Sequence, residues 1–320
     1  MKRIANIQEA PIILFTLLVI VLFSSLSSGF FQADNAKLIL DQNITSLIVA
    51  IGMTMVILLG GMDLSVGSVL ALTATAVGVF LNHGMHPWIA ALLGVCIGVL
   101  CGAVNGYFIA IRKIPDIIVT LATMYIFRGI AVGISGGTWM TNFPNGFRYF
   151  GQGELLGLSF PLIVAIVLIA FFIYLMKFTR SGRRIYAIGG NGSAAKLAGI
   201  SVARTKFTVY VWSGMLVGIA AVIFASKVGS VQASTAGSNL SFEVMAAVLI
   251  GGGSIFGGVG TVAGTMIGVL FMGIIKNGLI ITKISPFWVD ATTGFLIILA
   301  IIINTLQRIR QNKRKEGDLL

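Results

Sequence analysis

Residues 177–206 form the longest polar stretch inside an otherwise apolar chain: KFTRSGRRIYAIGGNGSAAKLAGISVARTK. This segment holds seven Lys or Arg and no Asp or Glu, whereas the whole chain is 57% apolar and only 10% charged. Its mean hydropathy is +1.00. A soluble domain does not have this composition, so the sequence predicts a polytopic membrane protein that carries one long basic loop.

Ten apolar segments have the character of membrane-spanning helices, for which about 17–25 residues are needed. They predict an all-α fold with about ten transmembrane helices in a single domain covering residues 1–320. The segments are residues 10–31, 44–61, 65–81, 88–111, 114–138, 157–176, 207–226, 242–257, 260–281 and 286–305.

The placement of Lys and Arg predicts the orientation, because these residues concentrate in short cytoplasmic loops. Ten spans with the N-terminus inside place 16 of the 22 basic residues in the cytosol, including the 177–206 loop and a basic tail at 306–320. Both termini are then cytoplasmic. One broken helix over 44–81 would put basic loops on the wrong side, which favours two tightly joined spans. The net charge of +12 therefore indicates topology and lipid contact rather than nucleic-acid binding.

The sequence offers no catalytic, cofactor or metal site. Residues 251–260, GGGSIFGGVG, are glycine-rich but lack the Gly-Lys-Ser/Thr ending of a phosphate-binding loop, so ATP hydrolysis by this chain is not expected. Cys96 and Cys101 have no metal-ligand neighbours, and His83 and His86 lack a third ligand. Glycines in a membrane instead permit close helix packing and buried helix breaks. Residues 57–64 and 248–255 echo each other, each an apolar helix end that runs into Gly-Gly.

Five motifs together resemble the permeases of ribose-type sugar importers of the ATP-binding-cassette (ABC) class. The resemblance covers roughly residues 45–300. The motifs are Gly60-Gly61-Met62-Asp63-Leu64-Ser65-Val66-Gly67, Gly102-Ala103-Val104-Asn105-Gly106, Pro115-Asp116-Ile117-Ile118-Val119-Thr120-Leu121 with Arg128-Gly129 beyond it, Ala246-Ala247-Val248-Leu249-Ile250-Gly251-Gly252, and Ser193-Ala194-Ala195-Lys196-Leu197-Ala198-Gly199. The last is similar to the EAA-x3-G coupling element, with Ser193 in place of Glu. Asp116 stands where Ser is usual, and Glu243 where Asp is usual.

The resemblance implies a non-catalytic permease in a bacterial inner (plasma) membrane. It implies a dimer with a second copy or a homologous permease, an ATP-binding subunit on the cytoplasmic face, and a periplasmic or lipoprotein sugar-binding protein that delivers the cargo. It also implies a helical fold related to the vitamin B12 importer permeases.

The basic loop is predicted to hold a short helix that docks on the ATP-binding subunit. Asn191 or Ser193 can cap it, and Gly199 can end it in a left-handed conformation. Such a rigid helix would transmit movement to the spans. The alternative is a solvated loop that only fixes topology. The coupling residues proposed here are Arg183, Asn191, Ser193, Ala194, Ala195 and Gly199.

Several polar residues near or inside the spans are candidate pore or gating residues. Asp63 either caps the helix that begins near Leu64 or faces the substrate path. Arg128 lies about 20 Å along its helix and needs a partner, for which Glu243 and Asp290 are the candidates. The remaining candidates, which hydrogen bonding between helices would explain equally well, are Asn105, Thr120 and Thr123.

The function that these features predict is import of a small sugar through a channel driven by a separate ATPase. A permease for branched-chain amino acids or nucleosides is the alternative within the superfamily, and the GGMDLSVG stretch argues against it. An ion-coupled transporter would need a carboxylate at mid-membrane, and a passive channel would leave the basic loop unexplained.

Overall fold

The computed structural model describes residues 10–305 apart from 156, 286, 287, 289, 290, 300, 303 and 304. The first helices are α1 (Ala10–Leu26), α2 (Ala33–Leu58), α3 (Val66–Asn82), α4 (Pro87–Gly106, which continues as a π-helical turn over Tyr107–Ile111), α5 (Asp116–Ser135) and α6 (Asn145–Gln152). The others are α7 (Phe160–Phe178), α8 (Arg180–Gly190), α9 (Gly192–Leu197), α10 (Val202–Val228), α11 (Leu240–Ile250) and α12 (Val262–Ile281). Residues 291–299 are also helical.

Four two-residue strands complete the described structure: β1 (Trp139–Met140), β2 (Glu154–Leu155), β3 (Leu158–Ser159) and β4 (Val231–Gln232). β1 pairs antiparallel with β4, with Trp139 opposite Gln232. β2 pairs antiparallel with β3. The protein is thus the all-α, polytopic type that its composition predicts.

Within the described residues, six helices are long and apolar enough to cross a membrane: α2, α4 with its π turn, α5, α7, α10 and α12. The apolar helices α1, α3 and α11 are shorter. The segment predicted as the tenth span, 286–305, lies partly outside the described residues.

The predicted limits differ most from the structure at two helices. α2 begins at Ala33 rather than at 44, because a polar first section with Asp34 and Lys37 continues the same helix. α11 ends at Ile250 rather than at 257. The glycines beyond it adopt positive φ angles, +92° at Gly252 and +134° at Gly260, that a helix does not contain.

The interior is built around α2, where Ile48, Val49, Ala50 and Ile51 are fully buried. α2 packs against α7, α10, α11 and α12. Two asparagines join α2 to α12 by reciprocal amide hydrogen bonds of 3.0 and 2.9 Å between Asn35 and Asn277. Such bonds are favourable inside a membrane because the amides have no water to bind.

Helices α4 and α10 make the most intimate contact in the bundle. A Cβ atom on Gly98 would overlap the main chain of Gly214, and one on Gly102 would overlap the main chain of Tyr210. Small residues therefore let the two backbones touch. This seam explains why glycine recurs every four residues in α4.

The bundle has two ends, which we call the basic end and the far end. The basic end carries the 177–206 loop, the end of α2 and the start of α5; the far end carries the turn at 83–86, the four strands and α6. Within α2, Asp41 lies towards the far end, where its main-chain carbonyl accepts a hydrogen bond from Lys227. Leu58, the last residue of α2, lies at the basic end. α3 returns to the far end, where Gly78 lies against Met140. Residues 44–81 therefore form two helices that run in opposite directions rather than one broken helix.

Candidate coupling and transport site

The short helix predicted in the basic loop is present as α9. The Asn191 side-chain oxygen accepts a hydrogen bond of 2.9 Å from the Ala194 N–H and caps its start. Gly199, with a φ of +77°, ends it. The Ile200 N–H then binds the Ala195 carbonyl at 3.0 Å, which closes the turn. Asn191, rather than Ser193, is the cap.

The side chains of α9 divide into one that anchors the helix and several that face outward. Ala195 is buried, whereas Ser193, Ala194 and Gly199 are exposed. Leu197 is 91% exposed, which is the largest exposed fraction among the large apolar side chains that the structure describes. The outward side of α9 thus carries one large apolar side chain among small and polar residues.

Helix α8, which precedes α9, is a second helix in the loop that the sequence reasoning missed. Arg183 lies on its exposed side and donates a hydrogen bond of 3.4 Å to the Phe178 carbonyl. Ile185 and Ile188 are buried and hold α8 against the bundle. The end of α8 therefore reaches the spans directly.

At that end, five glycines form a contact between three segments that we call the glycine junction. The segments are the end of α8, the end of α2 and the loop between α11 and α12; the glycines are Gly60, Gly189, Gly190, Gly257 and Gly258. The Gly258 N–H donates to the Leu58 carbonyl at 2.9 Å. A Cβ atom on Gly189 would overlap the Leu58 carbonyl oxygen. At the junction the three segments therefore touch main chain to main chain.

The glycine junction also brings together the two stretches that echo each other in the sequence. Residues 57–64 and 248–255 end beside one another at the basic end, because Gly60 lies against Phe256 and Gly257. Each stretch is a helix end followed by a glycine turn, and the first turn packs on the two residues directly beyond the second stretch.

From the junction, residues 60–67 run back into the bundle and end in α3. Within this segment Asp63 is buried, and its carboxylate accepts hydrogen bonds from the Ser65 N–H (2.9 Å) and hydroxyl (2.6 Å). Asn105 of α4 donates an amide hydrogen bond of 2.8 Å to the same hydroxyl. Burial raises the pKa of the Asp63 carboxyl, which lies between the two helices, and the bonds from Ser65 oppose this shift.

The prediction that Asp63 caps the following helix needs correction. α3 begins at Val66, and Ser65 occupies the cap position. The Asp63 carboxylate instead accepts a hydrogen bond from the N–H two residues further along the chain, which is the turn that Asp side chains commonly close. It is thus joined to Asn105 through Ser65, which the sequence did not indicate.

The start of α5 also binds the segment over residues 60–67. The Asp116 carboxylate accepts a hydrogen bond of 2.5 Å from the Met62 N–H. Thr120 donates to the Asp116 carbonyl at 2.8 Å, and Thr123 donates to the Val119 carbonyl at 3.0 Å. Both threonines are buried within the protein and bond to their own helix, and Thr120 also donates to the Met62 carbonyl at 3.4 Å.

The start of α11 is tied to the far part of the 60–67 segment by Ser241. Its hydroxyl donates to the Leu64 carbonyl at 2.8 Å and accepts from the Gly67 N–H at 3.2 Å. Gly67 also lies directly against Gly237 in the loop before α11. A displacement of residues 60–67 would therefore move α11 and that loop.

Arg128 holds this loop from the other side. One guanidinium nitrogen donates to the carbonyls of Ala233 (2.7 Å) and Ala236 (2.6 Å). The expected ion pair with Glu243 is therefore wrong, and Asp290 lies outside the described residues. The Ala233 and Ala236 carbonyls lie in a non-helical loop, and they bind the half-buried guanidinium group.

Glu243 pairs instead with Lys276 of α12, at 2.5 Å. Ser46 of α2 donates a further bond of 3.3 Å to the Glu243 carboxylate. The pair joins α11 to α12 inside the bundle, on the wall of a cavity of about 480 Å³.

This cavity, which we call the polar cavity, lies between α2, α11, α12 and the loop over 230–239. Hydroxyl and amide side chains lie in its wall beside apolar and aromatic ones. The polar side chains that line it are Gln42, Asn43, Thr45, Ser46, Ser230, Gln232, Thr235, Ser238, Asn239, Glu243 and Lys276.

A bundle of apolar helices with an open polar cavity at one end and a basic loop at the other is compatible with a membrane permease. The chain belongs to the permease family described as "Branched-chain amino acid transport system / permease component", whose model matches residues 35–301.

Among curated proteins, the ribose import permease protein RbsC of Bacillus subtilis is 39% identical over 91% of this chain and 90% of its own length. The ribose import permease of Escherichia coli K12 is 36% identical, with 94% of each chain covered. The autoinducer 2 import system permease protein LsrD of Yersinia enterocolitica is 36% identical over 87% of this chain and 88% of its own. No solved structure matches the chain.

Four residues of this site were not singled out from the sequence: Gly189, Leu197, Ser241 and Lys276. Lys276 carried a usable signal, because a cation inside an apolar span needs a partner. The contacts of the others join residues far apart in the chain, such as Ser241 with Leu64, and no local pattern indicates them.

Proposed function

We propose that this protein is the membrane-spanning subunit of an ABC importer that moves a small sugar into the cytoplasm. The observation that carries the proposal is helix α9, a capped helix with an exposed leucine that stands on the glycine junction. The 36–39% identity to two ribose import permeases supports the sugar class. The chain itself would hydrolyse no ATP.

The partners follow from the two ends of the bundle. An ATP-binding subunit would dock on α9 and the neighbouring arginines of α8 in the cytoplasm. A periplasmic or lipoprotein sugar-binding protein would deliver cargo at the far end. A second copy or a homologous permease would complete a dimer in the bacterial inner membrane.

In this orientation both termini are cytoplasmic and the basic loop follows the positive-inside rule. The three shorter apolar helices and the 286–305 segment would complete about ten crossings, in a fold related to the vitamin B12 importer permeases. The non-helical section at 59–65 lies against protein and much of 229–239 lines the polar cavity, and a membrane tolerates such backbone in both places.

The contacts give the transport cycle a mechanical path. Closure of the ATP-binding subunit would push α9 and α8 as a rigid unit. The glycine junction would pass this movement to the end of α2 and to residues 60–67. Ser241 and Gly67 would then move α11 and the loop that lines the polar cavity.

Reconstituted vesicles test the energy source. Uptake of D-ribose or another monosaccharide should require ATP and the ATP-binding subunit, and should be unchanged when an ionophore dissipates the proton gradient. Uptake that an ionophore abolishes at constant ATP would favour an ion-coupled transporter, and uptake without the ATP-binding subunit would favour a passive channel.

A further inference from the structure

We infer that the polar cavity is a low-affinity binding site for a neutral polyhydroxylated molecule, formed within a single subunit. This inference rests on the proposed function and places a transit site for the cargo between α2, α11 and α12. Its volume of about 480 Å³ falls in the range of about 300–1,000 Å³ that is usual for small-molecule sites.

The lining chemistry points to hydroxyl groups on the ligand. Serine, threonine, asparagine and glutamine side chains each donate and accept hydrogen bonds, as sugar hydroxyls do. Trp139 and Phe224 add flat apolar surfaces for the carbon face of a sugar ring. A purely apolar ligand would leave the amide and hydroxyl groups without partners, which is costly.

The charges in the lining argue against an amino acid. Glu243 and Lys276 are the charged residues among those that line the cavity, and they neutralise each other at 2.5 Å. A zwitterion would have to bring two desolvated charges to a site whose own charges are already paired.

Weak binding is expected because the lining groups already bond to the protein. Thr235 donates to the Gln232 side chain at 3.0 Å, and Asn43 donates to the Ile39 carbonyl at 2.7 Å. A sugar must replace or share these bonds, so little net affinity results. A transit site has to release what it binds, and weak binding satisfies that need.

Thiol protection in the full-length permease tests the inference. Cys96→Ser and Cys101→Ala remove the native thiols, and Thr235→Cys places one in the cavity. Thr138→Cys is the matched control, since Thr138 is exposed at the same end but does not line the cavity. A membrane-impermeant thiol reagent is applied with about 100 mM D-ribose, D-xylose, D-galactose or L-leucine, which suits the millimolar affinity range.

At least one of the three sugars should slow modification of the Thr235→Cys variant roughly fivefold, leave the Thr138→Cys variant unchanged, and exceed the effect of L-leucine. Thr45→Val, which removes one lining hydroxyl and keeps the shape, should raise the half-protecting sugar concentration roughly three- to tenfold. No protection by any sugar, equal protection by L-leucine, or protection unaffected by Thr45→Val would overturn the inference.

The same vesicles separate this inference from the proposed function. ATP-driven sugar uptake without thiol protection would overturn the cavity site and leave the importer intact. Thiol protection without any ATP-driven uptake would overturn the importer and support the cavity site.

Discussion

The glycine junction is formed by main-chain contacts, whereas the polar cavity is lined by side chains. At the junction, main-chain atoms of Gly189, Leu58 and Gly258 touch with no side chain between them. The cavity is walled by hydroxyl and amide side chains that leave about 480 Å³ open. Backbone contacts are stiff, whereas polar side chains can exchange partners. In the mechanism that we propose, the first region would transmit movement and the second would respond to it.

The Gly60–Gly67 segment joins these regions physically. Gly60 lies in the junction, Asp63 and Ser65 are fixed to Asn105, and Gly67 reaches the cavity loop at Gly237. This explains why the most distinctive motif of the sequence contains no chemistry of its own. We propose that its role is to connect the glycine junction to the loop that lines the polar cavity.

The largest effect is expected from a single methyl group at the junction. Gly189→Ala would force the backbone of α8 away from Leu58, and we expect at least a tenfold loss of ATP-driven uptake, with a stability loss of about 1–3 kcal/mol from overpacking. Uptake in vesicles and thermal unfolding in detergent measure both.

Gly190→Ala is the matched control, because nothing lies within 4 Å of a Cβ atom at Gly190. It should be neutral or stabilise by about 0.4–1 kcal/mol. Equal behaviour of the two alanine variants would show that the junction is not tightly packed.

The next effect concerns the cavity wall. Arg128→Leu removes the cation that binds the Ala233 and Ala236 carbonyls, and a lost charged hydrogen bond costs about 1.5–3 kcal/mol. We expect lower stability and faster thiol modification of the Thr235→Cys variant. Arg148→Leu, at an exposed position of α6, should change neither. An effect at position 148 as large as at 128 would remove the special role of the Arg128 contacts.

A smaller effect is expected on the outer surface of the coupling loop. Leu197→Glu would place a charge where an apolar side chain is to be buried, and loss of that burial costs about 1.5–3 kcal/mol. Affinity for the ATP-binding subunit, measured by co-purification and titration, should fall roughly tenfold or more. Membrane abundance should stay normal.

Ser193→Glu puts the same charge on the same helix and introduces the residue that the EAA-x3-G pattern has there. Its binding should match or exceed that of the unaltered protein. If both glutamate variants bind normally, α9 is not the docking surface.

The smallest effect on stability is expected at Asn105, which binds the segment between the glycine junction and the polar cavity. Asn105→Ala removes the hydrogen bond to the Ser65 hydroxyl, which predicts a loss of about 0.5–1.5 kcal/mol. Thermal unfolding measures it. Combined with Ser65→Ala, the change should cost less than the sum of the single changes, and strict additivity would show that the two residues act independently.

Local signals were sufficient to predict much of this structure. The cap at Asn191 and the left-handed Gly199 predicted α9, and apolar runs predicted the helical bundle. The limits of α2 and α11 were missed because polar first turns and glycine turns blur the hydropathy on which span prediction depends.

The partners of buried charges could not be predicted in this way. Arg128 and Glu243 were expected to pair because opposite charges attract, yet each found a partner elsewhere. The carbonyls that bind Arg128 become available only because the chain over 233–236 is non-helical at that depth. Lys276 lies 33 residues beyond Glu243 and reaches it only through the packing of α12 on α11.

We propose that movement of the basic loop reaches the polar cavity through the glycine junction. The most direct test is the rate of thiol modification of the Thr235→Cys variant in the complex with its ATP-binding subunit, compared between ADP and a non-hydrolysable ATP analogue. We expect the rate of thiol modification to differ between the two nucleotides. Gly190→Ala should preserve this difference and Gly189→Ala should abolish it. A change in rate that survives in the Gly189→Ala variant, or no response to nucleotide in the unaltered junction, would contradict it.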